Sequence, residues 1–155
     1  LSSLTRASFN ARGIDRYLNG DIVQTFESKT ISVRIERSAH DVYDFTASPA
    51  SFARWASGLG KPLREEGAVW VFEGPESPVK VRFSERNAYG VLDHHVLLPD
   101  GSEIYIPLRV IANGTGCEVL FTLFRPPGIS GEKFDADAQW VARDLNTLKA
   151  LVEAS

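Results

Sequence analysis

From Lys61 to Arg125 apolar residues return at every second position, whereas after Ser130 they return at steps of three and four. The first period belongs to strands with one buried face, the second to a helix with one buried stripe. Six strands are predicted in the first stretch: Pro62–Glu66, Ala68–Gly74, Val79–Arg86, Gly90–Leu98, Ser102–Asn113 and Cys117–Arg125. Their separators are turn-forming, as in Gly74-Pro75, Pro99-Asp100-Gly101 and Asn113-Gly114-Thr115-Gly116. Connections this short join antiparallel neighbours. Upstream, Thr30–Arg37 sets Ile31, Val33 and Ile35 against Ser32, Arg34 and Glu36, which predicts one more strand.

Two short helices are expected after that strand. Ser38 with Asp41 resembles a capping box with Asp in place of Glu, and Val42, Phe45 and Thr46 then share a face. Ser48-Pro49 reads as N-cap and first-turn proline, Phe52 and Trp55 lie on the inner side, and Gly58 or Gly60 ends the helix. At the other end of the chain, Phe134, Ala138, Val141, Leu145, Leu148 and Val152 make one stripe on a helix over Ser130–Ala154. Ser130 is its N-cap, and Pro126-Pro127-Gly128 block an earlier start. Such a helix is a rod of about 35 Å that has to bury its stripe on the sheet. Residues 1–28 are polar and mixed and are expected to be an N-terminal extension, with Phe9, Ile14, Tyr17 and Leu18 spaced for a short helix. Residues 29–155 make the domain.

Charged positions assign the faces. Lys80, Arg82 and Ser84 outward leave Val79, Val81 and Phe83 inward; Glu103 and Arg109 outward leave Ile104, Ile106, Leu108 and Val110 inward. Glu118 does the same for Val119, Phe121 and Leu123. Asp93 and His95 then join an outer ladder with Arg82 and Arg109, which turns Leu92, His94, Val96 and Leu98 inward. Pro107 cannot donate to a ladder, so a bulge or an edge is expected there.

This order of elements, carried by three segments, resembles the helix-grip fold of the START-like, or SRPBCC, superfamily. The segments are Thr30-Ile31-Ser32-Val33-Arg34-Ile35 leading to Asp41-Val42-Tyr43-Asp44-Phe45; Pro49-Ala50-Ser51-Phe52-Ala53-Arg54-Trp55; and Phe121-Thr122-Leu123-Phe124-Arg125 running into Gly128 and the helix with Asp144-Leu145. The stretch is similar to bacterial polyketide cyclase/dehydrase-like proteins. The resemblance implies an α+β fold in which a curved seven-stranded antiparallel sheet wraps a long C-terminal helix. It also implies two short helices closing one end and a cavity for an apolar ligand. The superfamily has no universal catalytic residues, so the resemblance transfers no catalytic position and calls for no cofactor.

Composition narrows the partners. With 155 residues, 43% hydrophobic, 24% charged and a formal charge of -3, the chain reads as one globular domain. No basic run predicts a nucleic-acid surface, and no apolar run is long enough for a membrane span. Leu1–Gln24 lacks the apolar core of a signal peptide, and a lone Cys117 excludes an internal disulfide, so a cytoplasmic protein is expected. No oligomeric state follows from the pattern.

Among the histidines, His40 reads as solvated and His95 as an outer ion-pair neighbour. His94, alone on an apolar face, is either a satisfied core residue or a cavity hydrogen-bond group or general acid/base. His94 and His95 point to opposite faces, and neither a Cys pair nor a His-x-x-x-His spacing exists, so no metal site is expected. Cys117 reads as a small buried hydrophobe. The expected ligand wall is Trp55, Trp70, Val81, Phe83, His94, Ile106, Phe121 and Trp140, with Trp70 and Trp140 as indole caps. No acidic residue is placed inside; Glu73 and Glu85 enter only if their strand ends turn inward. The expected function is binding of a small hydrophobic or aromatic molecule between sheet and helix. The alternatives are a polyketide cyclase or dehydratase with His94 as acid/base, and a protein-interaction module.

Overall fold

Strand β1, Glu27–Ile35, is the first described element of this computed structural model, which describes residues 23–155. It begins earlier than the alternation from Thr30 predicts. The helix expected over Phe9–Leu18 lies outside the described residues. β1 pairs antiparallel with the last strand, β8 (Gly116–Arg125), from Glu27 opposite Arg125 to Ile35 opposite Cys117.

Helices α1 (Ala39–Ala47) and α2 (Pro49–Trp55) follow β1. The Ser38 hydroxyl accepts from Asp41 N–H at 3.1 Å, the capping bond expected from the sequence. Ser48 precedes the first-turn Pro49, but its side chain makes no capping bond. α1 buries Val42, Tyr43 and Thr46, with Phe45 half-buried beneath the Arg54 guanidinium. Tyr43 takes the inner place because its hydroxyl accepts from Asn87 N–H at 2.9 Å. α2 buries Phe52 and Trp55.

Five strands make a meander in chain order: β2 (Pro62–Glu66), β3 (Val69–Phe72), β4 (Val79–Phe83), β5 (His94–Leu97) and β6 (Glu103–Ile106). The other sheet has the order β1-β8-β7, with β7 spanning Leu108–Asn113. Among the described residues there are therefore eight strands rather than seven, because Pro107 divides the expected Ser102–Asn113 strand in two. Proline has no N–H for the ladder, but its carbonyl still accepts from Thr122 N–H at 3.0 Å. Beyond the break, Leu92 N–H reaches Leu108 O at 2.8 Å and Val110 N–H reaches Gly90 O at 2.9 Å. These bonds run one sheet into the other as a single bent surface. Gly90 is required at that junction: its φ is +71°, and an added Cβ would stand 2.1 Å from Val110 O.

Helix α3, Gly131–Glu153, starts at Ser130, whose hydroxyl accepts from Lys133 N–H at 3.1 Å. It buries Phe134, Val141, Leu145, Leu148 and Val152, and Ala138 is half-buried. The same face also buries Asp137 and Asp144, which corrects the expectation that no carboxylate lies inside. Each has a partner that offsets the burial: Lys133 Nζ lies 3.2 Å from both Asp137 oxygens, and Ser57 donates to Asp144. Glu73 and Glu85 are both exposed. Lys149 ties α3 to β1 through a 2.7 Å bond to Arg34 O.

The outer face follows the charge pattern. Arg109 donates to Asp93 at 2.9 and 2.7 Å, Tyr105 hydroxyl donates to Asp93 at 3.0 Å, and Arg82 pairs with Glu103 at 3.0 and 2.8 Å. Arg109 beside Asp93 holds that carboxyl below the usual carboxylate range. His95 stacks on Tyr105 at 5.0 Å outside, while Leu92, His94 and Val96 are buried inside. No described helix is long and apolar enough to cross a membrane.

Candidate functional site

Antiparallel register sets the inner wall. Phe83 lies opposite His94 and His94 opposite Ile106, so these three make one inward row. Trp70, Val81, Val96 and Ile104 make the row beside it. α2 sets Phe52 against this wall. The Phe52 ring centroid lies 5.1 Å from Phe83, 5.2 Å from His94, 4.9 Å from Trp55 and 6.4 Å from Phe72. The contacts to Phe83, His94 and Trp55 are edge-to-face, the geometry that ring quadrupoles favour.

The structure thus brings Trp55, Phe83, His94 and Ile106 into one cluster, with Trp70 and Val81 in the adjacent row. Phe121 lies in the other sheet, opposite Ile31 and Leu108, and is buried there. Trp140 stands on α3, half-buried, with the Arg143 guanidinium 5.4 Å from its ring. One turn later on α3, Asp144 accepts from Ser57 N–H at 3.2 Å and from the Ser57 hydroxyl. Ser57 directly follows the C-cap of α2, so this carboxylate fastens α2 to α3. Burial pushes the Asp144 carboxyl up from its ordinary range, against the opposing pull of the Ser57 bonds.

His94 is 1% exposed, and its Nδ1 lies 3.0 Å from Leu92 O. A carbonyl oxygen only accepts, so the proton of the neutral ring sits on Nδ1 and Nε2 carries a lone pair. Burial lowers the pKa from 6.5 to about 4, which keeps the ring neutral near pH 7. Three buried ring nitrogens among the described residues have no hydrogen-bond partner: His94 Nε2, Trp55 Nε1 and Trp140 Nε1. Two of them, on Trp55 and His94, belong to rings that pack edge-to-face with Phe52.

Sequence reasoning placed Phe52 on the inner side of its helix but left it, with Phe72, out of the ligand wall. The missing information was the packing of Phe52 against β4 and β5, which no sequence period encodes. Asp137 and Asp144 were legible in principle: with Val141 and Leu148 they keep the steps of four and three of the buried stripe. A separate groove of about 600 Å³, lined by Arg54, Asn146, Thr147, Ala150 and Leu151, opens at the surface, and none of the expected wall residues lines it. Among the described residues no group of three His, Cys, Asp or Glu side chains is placed to hold a metal ion.

No protein-family model matches the chain, and no curated protein matches it in sequence. Solved structures do match. An uncharacterized protein from Bacillus thuringiensis superposes with a TM-score of 0.65 at 16% identity, covering 82% of this chain and 99% of that one. The Zhui aromatase/cyclase from a Streptomyces species gives 0.62 at 16% identity, covering 83% and 94%. Ara h 8.0201 gives 0.63 at 9% identity, covering 83% and 99%. Identities this low speak to architecture alone, and on that ground the chain shares the helix-grip architecture of these structures.

Proposed function

We propose that this protein binds a small, ring-sized hydrophobic molecule in the interior between α2, α3 and the inner wall of β3–β5. The observation that carries the reading is the pair of unpartnered nitrogens, Trp55 Nε1 and His94 Nε2, on two rings that both pack edge-to-face with Phe52. A buried polar group without a partner costs about 1–3 kcal/mol, and natural cores rarely retain two together without a use. The ring of Phe52 packs against both rings, so a ligand enters by turning Phe52 aside.

Affinity arises from apolar burial against Phe72, Val81, Phe83 and Ile106, at about 25 cal/mol per Å². The test is a titration with naphthalene followed by tryptophan fluorescence, together with native mass spectrometry of the purified protein. Saturable one-site binding is expected, with quenching that is lost in Trp55→Phe. Absence of saturable binding across naphthalene, indole and benzofuran would refute the reading.

One observation favours a second reading, a cyclase-type enzyme. The lone pair of His94 Nε2 is in the tautomer that accepts a proton. Its pKa of about 4 makes it a weak base, and Asp93, its charged neighbour in sequence, is engaged by Arg109 on the other face. Turnover of a polyketide-like panel that falls about a hundredfold in His94→Gln with binding intact would promote this second reading.

A further inference from the structure

We infer that the interior site selects its ligand by a hydrogen-bond donor: His94 Nε2 is a fixed acceptor, and the molecule it takes is uncharged, ring-sized and presents an N–H or O–H to that nitrogen. The inference rests on the ligand-binding reading above and deepens it. Its starting point is the bond from Nδ1 to Leu92 O, which leaves Nε2 as an acceptor with no alternative role in the neutral ring. The ring has little freedom to turn. Its faces and edges are held by Phe52 at 5.2 Å and Phe83 at 6.0 Å, and flipping it would replace the Nδ1–H donor with a C–H and lose the bond to Leu92 O.

The restriction to uncharged molecules comes from what surrounds the ring. The charged side chains nearest in register are turned outward and paired, Asp93 with Arg109 and Arg82 with Glu103. A carboxylate entering beside His94 would face a lone pair with no cation to balance it. An ammonium would lose its hydration without gaining an anion. The burial that depresses the pKa of the ring also keeps it from becoming a cation that would welcome an anion near neutral pH. Trp55, which also packs on Phe52, carries an Nε1–H donor, which the π face or an acceptor atom of the same ligand satisfies.

The donor rule is a selectivity rule with a clear consequence. Nε2 is already unpartnered in the free protein, so a ligand without a donor leaves that situation unchanged. A ligand with a donor removes it and gains the bond. Two molecules of the same shape that differ only in this atom should therefore bind with affinities about tenfold apart.

Indole and benzofuran are such a pair: the N–H of one stands where the other has a ring oxygen. Calorimetric titration of the wild-type protein is expected to give indole about tenfold tighter binding than benzofuran. In His94→Phe the two should bind alike, at the level of benzofuran. Because that variant puts a larger ring into a filled core, ¹⁵N resonances of the wild-type histidines provide a second readout. The Nε2 signal of His94 should shift on saturation with indole and hold still with benzofuran. Equal affinities in the wild type with no shift of Nε2 would overturn the donor rule while leaving the ligand-binding reading standing. Failure of both compounds and of naphthalene to bind would overturn that reading and the donor rule with it.

Discussion

Lowering the pH from 7 to 5 should destabilise this protein through His94. In the folded state burial holds the imidazole at about 4, against 6.5 for the free side chain. A base with a depressed folded pKa contributes stability that is fully present above the unfolded value and lost as pH falls through the folded one. The unfolded chain takes up a proton on this residue between pH 7 and 5, and the folded chain does not. With the two pKa values above, the linkage integral gives a loss of about 2 kcal/mol over that interval, and about 3 kcal/mol once the folded ring also protonates. The carboxylates held low by partners, Asp93 with Arg109 and Glu103 with Arg82, add their losses mainly below pH 5. Asp144 works in the opposite sense, because burial raises its pKa and its folded form gains as pH falls. The comparison that isolates His94 is therefore between the wild type and His94→Phe, or His94→Gln if the larger ring is not accommodated. Urea unfolding at pH 7 and pH 5 should show the wild type losing about 2 kcal/mol more than the variant. Equal losses, within about 0.5 kcal/mol, would mean that the ring is not held neutral by burial, and the acceptor role of Nε2 would fall with it.

Two further outcomes test the scaffold. Leu145, at 1% exposed, lies in the middle of the α3 stripe, and Leu145→Ala should cost about 2–5 kcal/mol in chemical denaturation; a loss below about 0.5 kcal/mol would refute the packing described. Ser57→Ala removes the hydroxyl that donates to buried Asp144 and should cost about 1–3 kcal/mol while raising amide exchange in α2; unchanged exchange there would show that the carboxylate does not fasten α2 to α3.

The fold was readable because its two periods are strong and its charges consistent. Asp93, His95, Arg82 and Arg109 face outward as their alternation implies, and Ser130 caps α3 where the stripe begins. Pro107 announced a bulge or an edge, and it divides one strand into β6 and β7, each of which lies at the edge of its sheet. The interior was less readable, for two physical reasons. A carboxylate on a helix reads as wet unless its partner is known, and the hydrogen bonds that bury Asp144 come from Ser57, 87 residues away. A ring cluster depends on how elements pack. Trp55, Phe83 and His94 come together because α2 sets Phe52 against β4 and β5, whereas Phe121 and Trp140, equally aromatic in the sequence, end on β8 and α3.

The pairing of β1 with β8 has a kinetic consequence. Glu27 and Arg125, joined at 3.0 Å across the two strands, are 98 residues apart, and every rung of that ladder closes a loop of comparable size. Closing loops of that length costs entropy before any contact compensates, so folds dominated by such pairs form slowly. The meander β2–β6 has only local connections and can assemble while the rest of the chain is still being made. β1 cannot: until β8 has emerged, its alternating Ile31, Val33 and Ile35 have no partner strand. During synthesis the first strand therefore waits through most of the chain with an apolar face uncovered, and in that interval the nascent protein is most exposed to wrong pairing or to capture by a chaperone.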